Sequence, residues 1–285
     1  MTVLEAPTLA PALAAARRRA AVGRVWRVVW IAAVCAFALL PLVAVLMASV
    51  SDTSFWSAPP QGLTFRWYAR ILGNPEFVAS IGTSFALALI VSVVSVSTGF
   101  LAALGFTRGR RGVNYRASNL ILLPLLFPHV ALGLAIYGMY LTHSVPINLL
   151  TLALGQLVLT VPVAVRLIMV AVARLPRDVE RAATNLGAGP WAVFWRVIVP
   201  QLRGVLVAAA IISFTVSFDD SGVALFVNTP TTITLPVRLL FYRENEGGSL
   251  LAAGGSVLLL IGVVIVLVVG RVVGLERAFG FRTDK

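Results

Sequence analysis

From Ala117 to Val165 the chain carries no Asp, Glu, Lys or Arg. That stretch is more than twice the roughly 20 apolar residues a helix needs to cross a bilayer. Comparable uncharged runs lie at Val28–Val50, within Phe77–Thr107 and at Gly247–Gly270, and a further one, Gly204–Val227, is interrupted only by Asp219 and Asp220. Charged residues make up 12% of the chain, about half the ~25% usual in a soluble domain, and mean hydropathy is +0.94. Lipid is therefore the main solvent. The segment Thr142-His143-Ser144-Val145-Pro146 divides the longest run into two spans. The reading is an all-α, polytopic membrane protein with six transmembrane helices. Pro124, Pro128 and Pro162 fall inside spans, where kinks are expected because neighbouring helices can re-satisfy the freed carbonyls.

Basic residues cluster between the spans, and their bias sets orientation. With the amino terminus inside, eighteen fall on the cytoplasmic side: Arg17, Arg18, Arg19, Arg24 and Arg27; Arg108, Arg110, Arg111 and Arg116; Arg174, Arg177, Arg181, Arg196 and Arg203; Arg271, Arg277, Arg282 and Lys285. Only Arg66, Arg70, Arg238 and Arg243 fall outside, and Arg166 lies within a span. The expected layout is a cytoplasmic tail over 1–27, a transmembrane domain over 28–273 with a cytoplasmic loop at 174–203, and a cytoplasmic tail over 274–285. Residues 1–16, rich in Ala and Pro, read as a disordered tail. The net charge of +12 is topological, and no aromatic-interleaved basic patch suggests nucleic acid. Lys285, the only lysine and the last residue, excludes a phosphate-cradling Gly-rich loop. Cys35 is a lone thiol in an apolar run, read as a small core hydrophobe. A short interfacial helix is expected near Leu63–Leu72, where aromatics and Arg alternate.

The internal loop of about 30 residues is long for a helix hairpin, and long structured loops are usually functional. It reads as two short helices. Pro176 and Asp178 start the first, with Leu175, Val179, Ala182, Ala183 and Leu186 at helical spacing. Gly187 to Pro190 breaks it, since glycine permits positive φ and proline suits the first turn of a new helix. Trp191, Phe194, Trp195 and Ile198 then form a second apolar stripe before Pro200. Two helices at an angle, with the Ala182-Ala183 pair outward, make a knob for another protein's groove, although a solvated connector is also consistent with the spacing.

This loop resembles the signature of binding-protein-dependent ABC importer permeases: Glu-Ala-Ala, three residues, Gly, nine residues, then Ile-x-Leu-Pro. Ala182, Ala183 and Gly187 match, and Val197-Ile198-Val199-Pro200 gives a conservative ending. Arg181 stands where the family has Glu, and Glu180 comes one place earlier, about 100° away around the helix. Phe65-Arg66-Trp67-Tyr68 and the stretch Ser213–Asp220 extend the resemblance, the latter being similar to the second permease component of spermidine/putrescine importers. The resemblance implies a type I importer fold in the bacterial inner membrane and transport by alternating access. It also implies coupling through Glu180, Arg181, Ala182, Ala183, Leu186, Gly187 and Pro200. Implied partners are two ATP-binding subunits holding ATP and Mg²⁺, a second permease as heterodimer partner and an extracytoplasmic solute-binding protein. No cofactor is expected on this chain. The cargo implied is a polyamine or related cation, with another small solute as the alternative.

Asp219 and Asp220 lie about 15 residues into the fifth span, or roughly 22 Å at 1.5 Å per residue. A carboxylate at that depth costs about 2.5–3.5 kcal/mol even on permissive scales, so it faces a cavity or a partner. Three readings stand: contact with a cationic solute, capping of a helix end near Gly222, or pairing with Arg166. His129 and His143 suggest no metal site, and Glu244 and Glu246 read as a solvated outer loop. No nucleophile–base arrangement marks an enzyme. Two rival classes stand: an ion-coupled secondary transporter with Asp219 or Asp220 as relay, and a membrane scaffold or channel that would leave the Arg174–Arg203 loop free.

Overall fold

The computed structural model describes residues 10–54, 61–109, 119–245 and 248–273. The helices are α1 (Ala10–Ser49), α2 (Arg66–Leu72), α3 (Pro75–Arg108), α4 (His129–Thr142), α5 (Leu149–Arg174), α6 (Arg177–Asn185), α7 (Pro190–Val193), α8 (Val199–Phe218), α9 (Leu235–Asn245) and α10 (Gly248–Val273). A 3₁₀ turn, Leu123–Leu126, precedes α4, and a π turn, Phe194–Ile198, joins α7 to α8. Among the described residues the only β pairing is an isolated bridge between Ser51 and Leu63. Arg110, Arg111, Arg116, Glu246, Gly247, Arg277, Arg282, Lys285 and the tail 274–285 lie outside the described residues.

Among the described residues, five helices are long and apolar enough to span a bilayer: Gly23–Ser49, Pro75–Arg108, Leu149–Arg174, Pro190–Phe218 and Gly248–Val268. The sixth expected span takes a different form. Pro124 and Pro128 break the chain before α4, leaving a helix of 14 residues, because proline removes a ladder donor and clashes with the preceding turn. Pro162, by contrast, sits inside α5 without ending it. The fifth span also departs from expectation, since its helix stops at Phe218 and not at Val227. At the amino end α1 reaches back to Ala10, so Ala10–Ala16 is helical where disorder was expected. Alanine is the strongest helix former, and Pro11 falls in the first turn, where proline is tolerated.

Local signals set the element ends. Asn74 caps α3 by accepting from the N–H of Glu76 (2.9 Å) and Phe77 (3.3 Å), with Pro75 in the first turn. Asn148 and Thr151 form a reciprocal capping box at the start of α5. The expected turn between α4 and α5 contains Ser144 at φ 53°. The interfacial helix forms as α2, held by Trp67, whose Nε1 donates to the Ser51 carbonyl at 2.8 Å.

Helix α3 is the axle of the bundle, lying against both α5 and α8. Its first turns share a core with Trp67, Phe214, Phe218, Leu235 and Leu250. Its last turns share another, with Met169, Val172, Val193 and Ile198. Small residues permit the close approach to α5: a Cβ on Gly99 would meet the Ala164 Cβ at 2.9 Å and the Val165 nitrogen at 3.1 Å. Short hydroxyls bond across the same seams, Ser95 to Thr160 at 2.7 Å and Ser92 to the Ala210 carbonyl at 2.8 Å. Such small and hydroxylated side chains suit helix packing in lipid, where apolar burial alone drives nothing. Helix α1 packs along α10, leaving Trp26, Trp30, Phe37 and Leu40 exposed.

Gly99→Leu should therefore push α3 from α5 and cost about 1–3 kcal/mol, as overpacking typically does. Gly105→Ala, where a Cβ meets nothing within 4 Å, should be neutral or gain up to about 1 kcal/mol. Thermal unfolding of the purified protein in detergent checks both, and an unchanged Gly99→Leu midpoint would contradict the packing.

Candidate functional site

Two features stand out: the point where α8 gives way to two aspartates, and an exposed corner at the bundle's opposite end. The break begins where α8 gives way to two aspartates, whose short side chains compete with the helix for backbone donors. The Asp219 N–H still bonds the Thr215 carbonyl at 3.1 Å. Asp220 then turns the chain: its carboxylate accepts from the N–H of Ala224 (3.2 Å) and Val223 (3.4 Å). Gln156 of α5 donates to the same carboxylate at 3.1 Å and accepts from Ser217 Oγ. His129 Nδ1 stands 4.0 Å away, beyond hydrogen-bond reach. The turn that follows is buried through Val223, Ala224 and Val227. It passes so close to α4 that a Cβ on Gly222 would meet the His129 Cβ at 2.5 Å.

The aspartate pair thus splits. Asp220 is 5% exposed and serves as the cap. Asp219 is exposed at the break. Arg166 lies exposed on α5, and the groups that reach Asp220 are Gln156, two backbone N–H groups and, at longer range, His129. His143, in the turn after α4, holds its Nδ1 2.9 Å from the Met139 carbonyl.

The corner is α6, the turn at Gly187 and α7. Gly187 has φ +88°, a conformation open to glycine and strained for other residues. Pro190 occupies the first turn of α7 and Pro200 that of α8. No described residue of α6 is buried. Ala182 is exposed and Ala183 half-buried, while Leu186 is 89% and Trp191 73% exposed. Arg181 faces outward, 3.6 Å from a still more exposed Asp178, a pairing that contributes little in water. Glu180 turns the other way. Its Oε1 lies 2.7 Å from Arg108 Nη2 at the end of α3.

Several of these partners have little or no local sequence signal. Gln156 is a lone amide in an uncharged run, and a buried amide needs partners, which is the one cue the sequence carries. Arg108 and Arg177 read from sequence as topological charges alone. Arg108 also donates to the Leu175 carbonyl at 3.0 Å, and Arg177 reaches back to the Thr107 carbonyl at 2.7 Å. Among the described residues no three His, Cys, Asp or Glu side chains gather as a metal site.

Residues 95–274, more than half of the chain, match the family described as the binding-protein-dependent transport system inner membrane component. The chain belongs to this family. It is 27% identical over 225 residues to the putrescine transport system permease protein PotI of Escherichia coli strain K12, covering 74% of this chain and 78% of PotI. PotC, a spermidine/putrescine transport system permease protein of the same strain, is 22% identical over 222 residues (76% and 82% covered). The sulfate permease protein CysT of that strain is 28% identical over 208 residues (68% and 70%). The fold is that of solved importers. A chain of a bacterial ABC transporter that imports alginate superposes with TM-score 0.61 at 16% identity, covering 89% of this chain and 97% of that one. A chain of the MetNI methionine ABC transporter gives 0.54 at 17% identity, with 70% and 97% covered. As a membrane component of an ABC importer, the chain is a multi-pass inner-membrane protein.

The two aspartates should separate by experiment. Asp220→Ala strips two N–H groups and Gln156 of their acceptor and should cost about 1–3 kcal/mol of stability. Asp219→Asn should stay within about 0.5 kcal/mol of the parent, as exposed substitutions do. Equal unfolding midpoints in detergent would contradict the assignment of the cap.

Proposed function

We propose that this permease subunit carries a polyamine inward by alternating access, driven through the α6–α7 corner by separate ATP-binding subunits. The observation that carries the reading is the corner itself. It is an apolar-tipped projection at the end of the bundle shared by Arg108, Arg174 and Arg203. With that end cytoplasmic, as the arginine bias requires, both termini are inside and the corner meets a cytoplasmic partner. Leu186 and Trp191 supply its apolar contact, with Val179, Ala182 and Arg181 beside them. ATP and Mg²⁺ belong to two such partners. A second permease subunit completes the path, and a solute-binding protein delivers cargo from outside. Nucleotide binding draws the two docked corners together and turns the path outward; hydrolysis reverses it. The corner must dock rigidly, since a partner shifts a conformational equilibrium only by its differential affinity for the two states.

The polyamine reading rests on the likeness to PotI and PotC and on the exposed Asp219 carboxylate at the break. The likeness to CysT supports a second reading, in which an oxyanion is the cargo. Uptake separates them. In cells expressing the whole importer, putrescine uptake should fall at least about tenfold with Asp219→Asn, a loss of ~1.4 kcal/mol, at unchanged expression. Sulfate uptake with no putrescine uptake would select the second reading.

The corner has its own test. Gly187→Pro replaces a φ of +88° by the roughly −65° that proline imposes, and Leu186→Glu places a charge on the exposed tip. Both should abolish uptake and release the ATP-binding subunits on purification, while the subunit still inserts. Normal uptake by both variants, or transport in vesicles without nucleotide, would overturn the coupling.

A further inference from the structure

The contacts beneath the corner point past docking to how motion leaves it. Arg108 is the last residue of α3 and Arg177 the first of α6, and the two reach across each other. Arg108 Nη2 lies 2.7 Å from Glu180 Oε1 and 3.0 Å from the Leu175 carbonyl, while Arg177 Nη2 donates to the Thr107 carbonyl at 2.7 Å. The Arg108 and Glu180 side chains are only 18% and 20% exposed. Water screens such a pair less than one on open surface. Two of these bonds end on carbonyls at a helix C-terminus or just beyond it, where orphan acceptors and the negative end of the dipole favour a guanidinium. Under the clasp lies an apolar bed. Phe100 and Ala103 of α3 pack with Val172, Val193 and Ile198, and with Leu175, Ala183 and Ala188 of the corner. The Phe100 and Phe194 rings are 5.3 Å apart.

At its far end α3 is tied again. Glu76 pairs with Arg238 of α9 at 2.7 Å, and Ser84 Oγ accepts the Leu235 N–H at 2.7 Å. A helix of 34 residues is about 51 Å long at 1.5 Å per residue. It therefore joins the corner to the segment that resumes after the break.

We infer that the Arg108–Glu180 pair and the Arg177–Thr107 bond form a brace locking the α6–α7 corner to α3, so that the two move as one body and displacement reaches α9 across the bilayer. Glu180 is thus a positioning residue that faces its own subunit, and Arg181 is the charge left for the partner. The inference rests on the proposed coupling role of the corner.

The experiment uses the assembled importer in lipid vesicles. Cys35 is replaced by Ala, and spin labels sit on Asn185→Cys in α6 and Val93→Cys in α3. Both native residues are exposed. In the parent the label separation should be narrow and unchanged between the nucleotide-free and ATP-bound states. Glu180→Gln should broaden it and lower putrescine moved per ATP hydrolysed, within the roughly 5–150-fold range that coupling free energies span. The exchanged pair Arg108→Glu with Glu180→Arg should recover most of both. Glu180→Gln matching the parent in separation and in transport per ATP would overturn the brace, as would an exchanged pair no better than the single variant. Retention of the ATP-binding subunits is scored separately. If the parent fails to hold them, the coupling reading falls, and the cargo-independent separation still judges the brace.

Discussion

Hydrocarbon holds no water to hydrogen-bond a peptide group, so a chain that leaves the helical state inside a membrane must bring its own partners. The same need for internal partners is met in this fold where α8 stops and the chain turns through the buried interior. After Phe218 the backbone turns, and the N–H groups of Val223 and Ala224 find the Asp220 carboxylate. The carboxylate in turn needs donors, which Gln156 supplies from α5, and Gln156 is itself oriented by Ser217. A buried polar network is stable only when its members are satisfied together. That requirement fixes α5 against α8, and the absence of a side chain on Gly222 lets the following turn close on α4. The break is thus a supported element in the bundle's interior, the setting in which membrane proteins tolerate irregular backbone.

What the sequence disclosed divides along the same line. Uncharged runs mark spans because lipid excludes charge over a fixed thickness, so α1, α3, α5, α8 and α10 were all legible. The corner was legible because Pro176, Gly187 and Pro190 act locally, through fixed φ, positive φ and a missing donor. The Asn148–Thr151 box belongs to the same local class. The region around α4 is not legible in the same way because an apolar run reports solubility in lipid and not helix continuity, and Pro124 and Pro128 end the element where kinks within a span are expected. The roles of Asp219 and Asp220 stayed open because they depend on which neighbour is opposite. Gln156 lies 64 positions from Asp220 in the chain, a pairing no local pattern encodes. Arg108 and Glu180 are hidden for the same reason.

The two ends of the bundle are built to different rules. At the corner, apolar side chains are left uncovered: Leu186, Trp191 and Trp195 are exposed beyond the packed bed of Phe100, Val193 and Ile198. An exposed apolar group rimmed by polar ones marks an interaction surface. At the break the reverse holds, with polar groups turned inward and satisfied one by one. Helix α3 touches both regions, and its Gly99, Ser92 and Ser95, with Thr160 of α5, keep the three helices close at the α5 and α8 seams. Close packing has low compressibility, so α3 can pass a displacement with little loss along its length.

The net charge of +12 carries no information about cargo, because the basic residues sit at the helix ends where orientation requires them. Under the proposed reading, selectivity arises at the break. There the Asp220 charge is offset by three donors, whereas Asp219 stands exposed beside it. The local field is therefore negative. Beside an exposed carboxylate a cationic amine is favoured and an oxyanion disfavoured, each by on the order of 1 kcal/mol where water screens the pair. An oxyanion reaching this point would need a compensating cation from another chain, while a polyamine would need only the carboxylate already present.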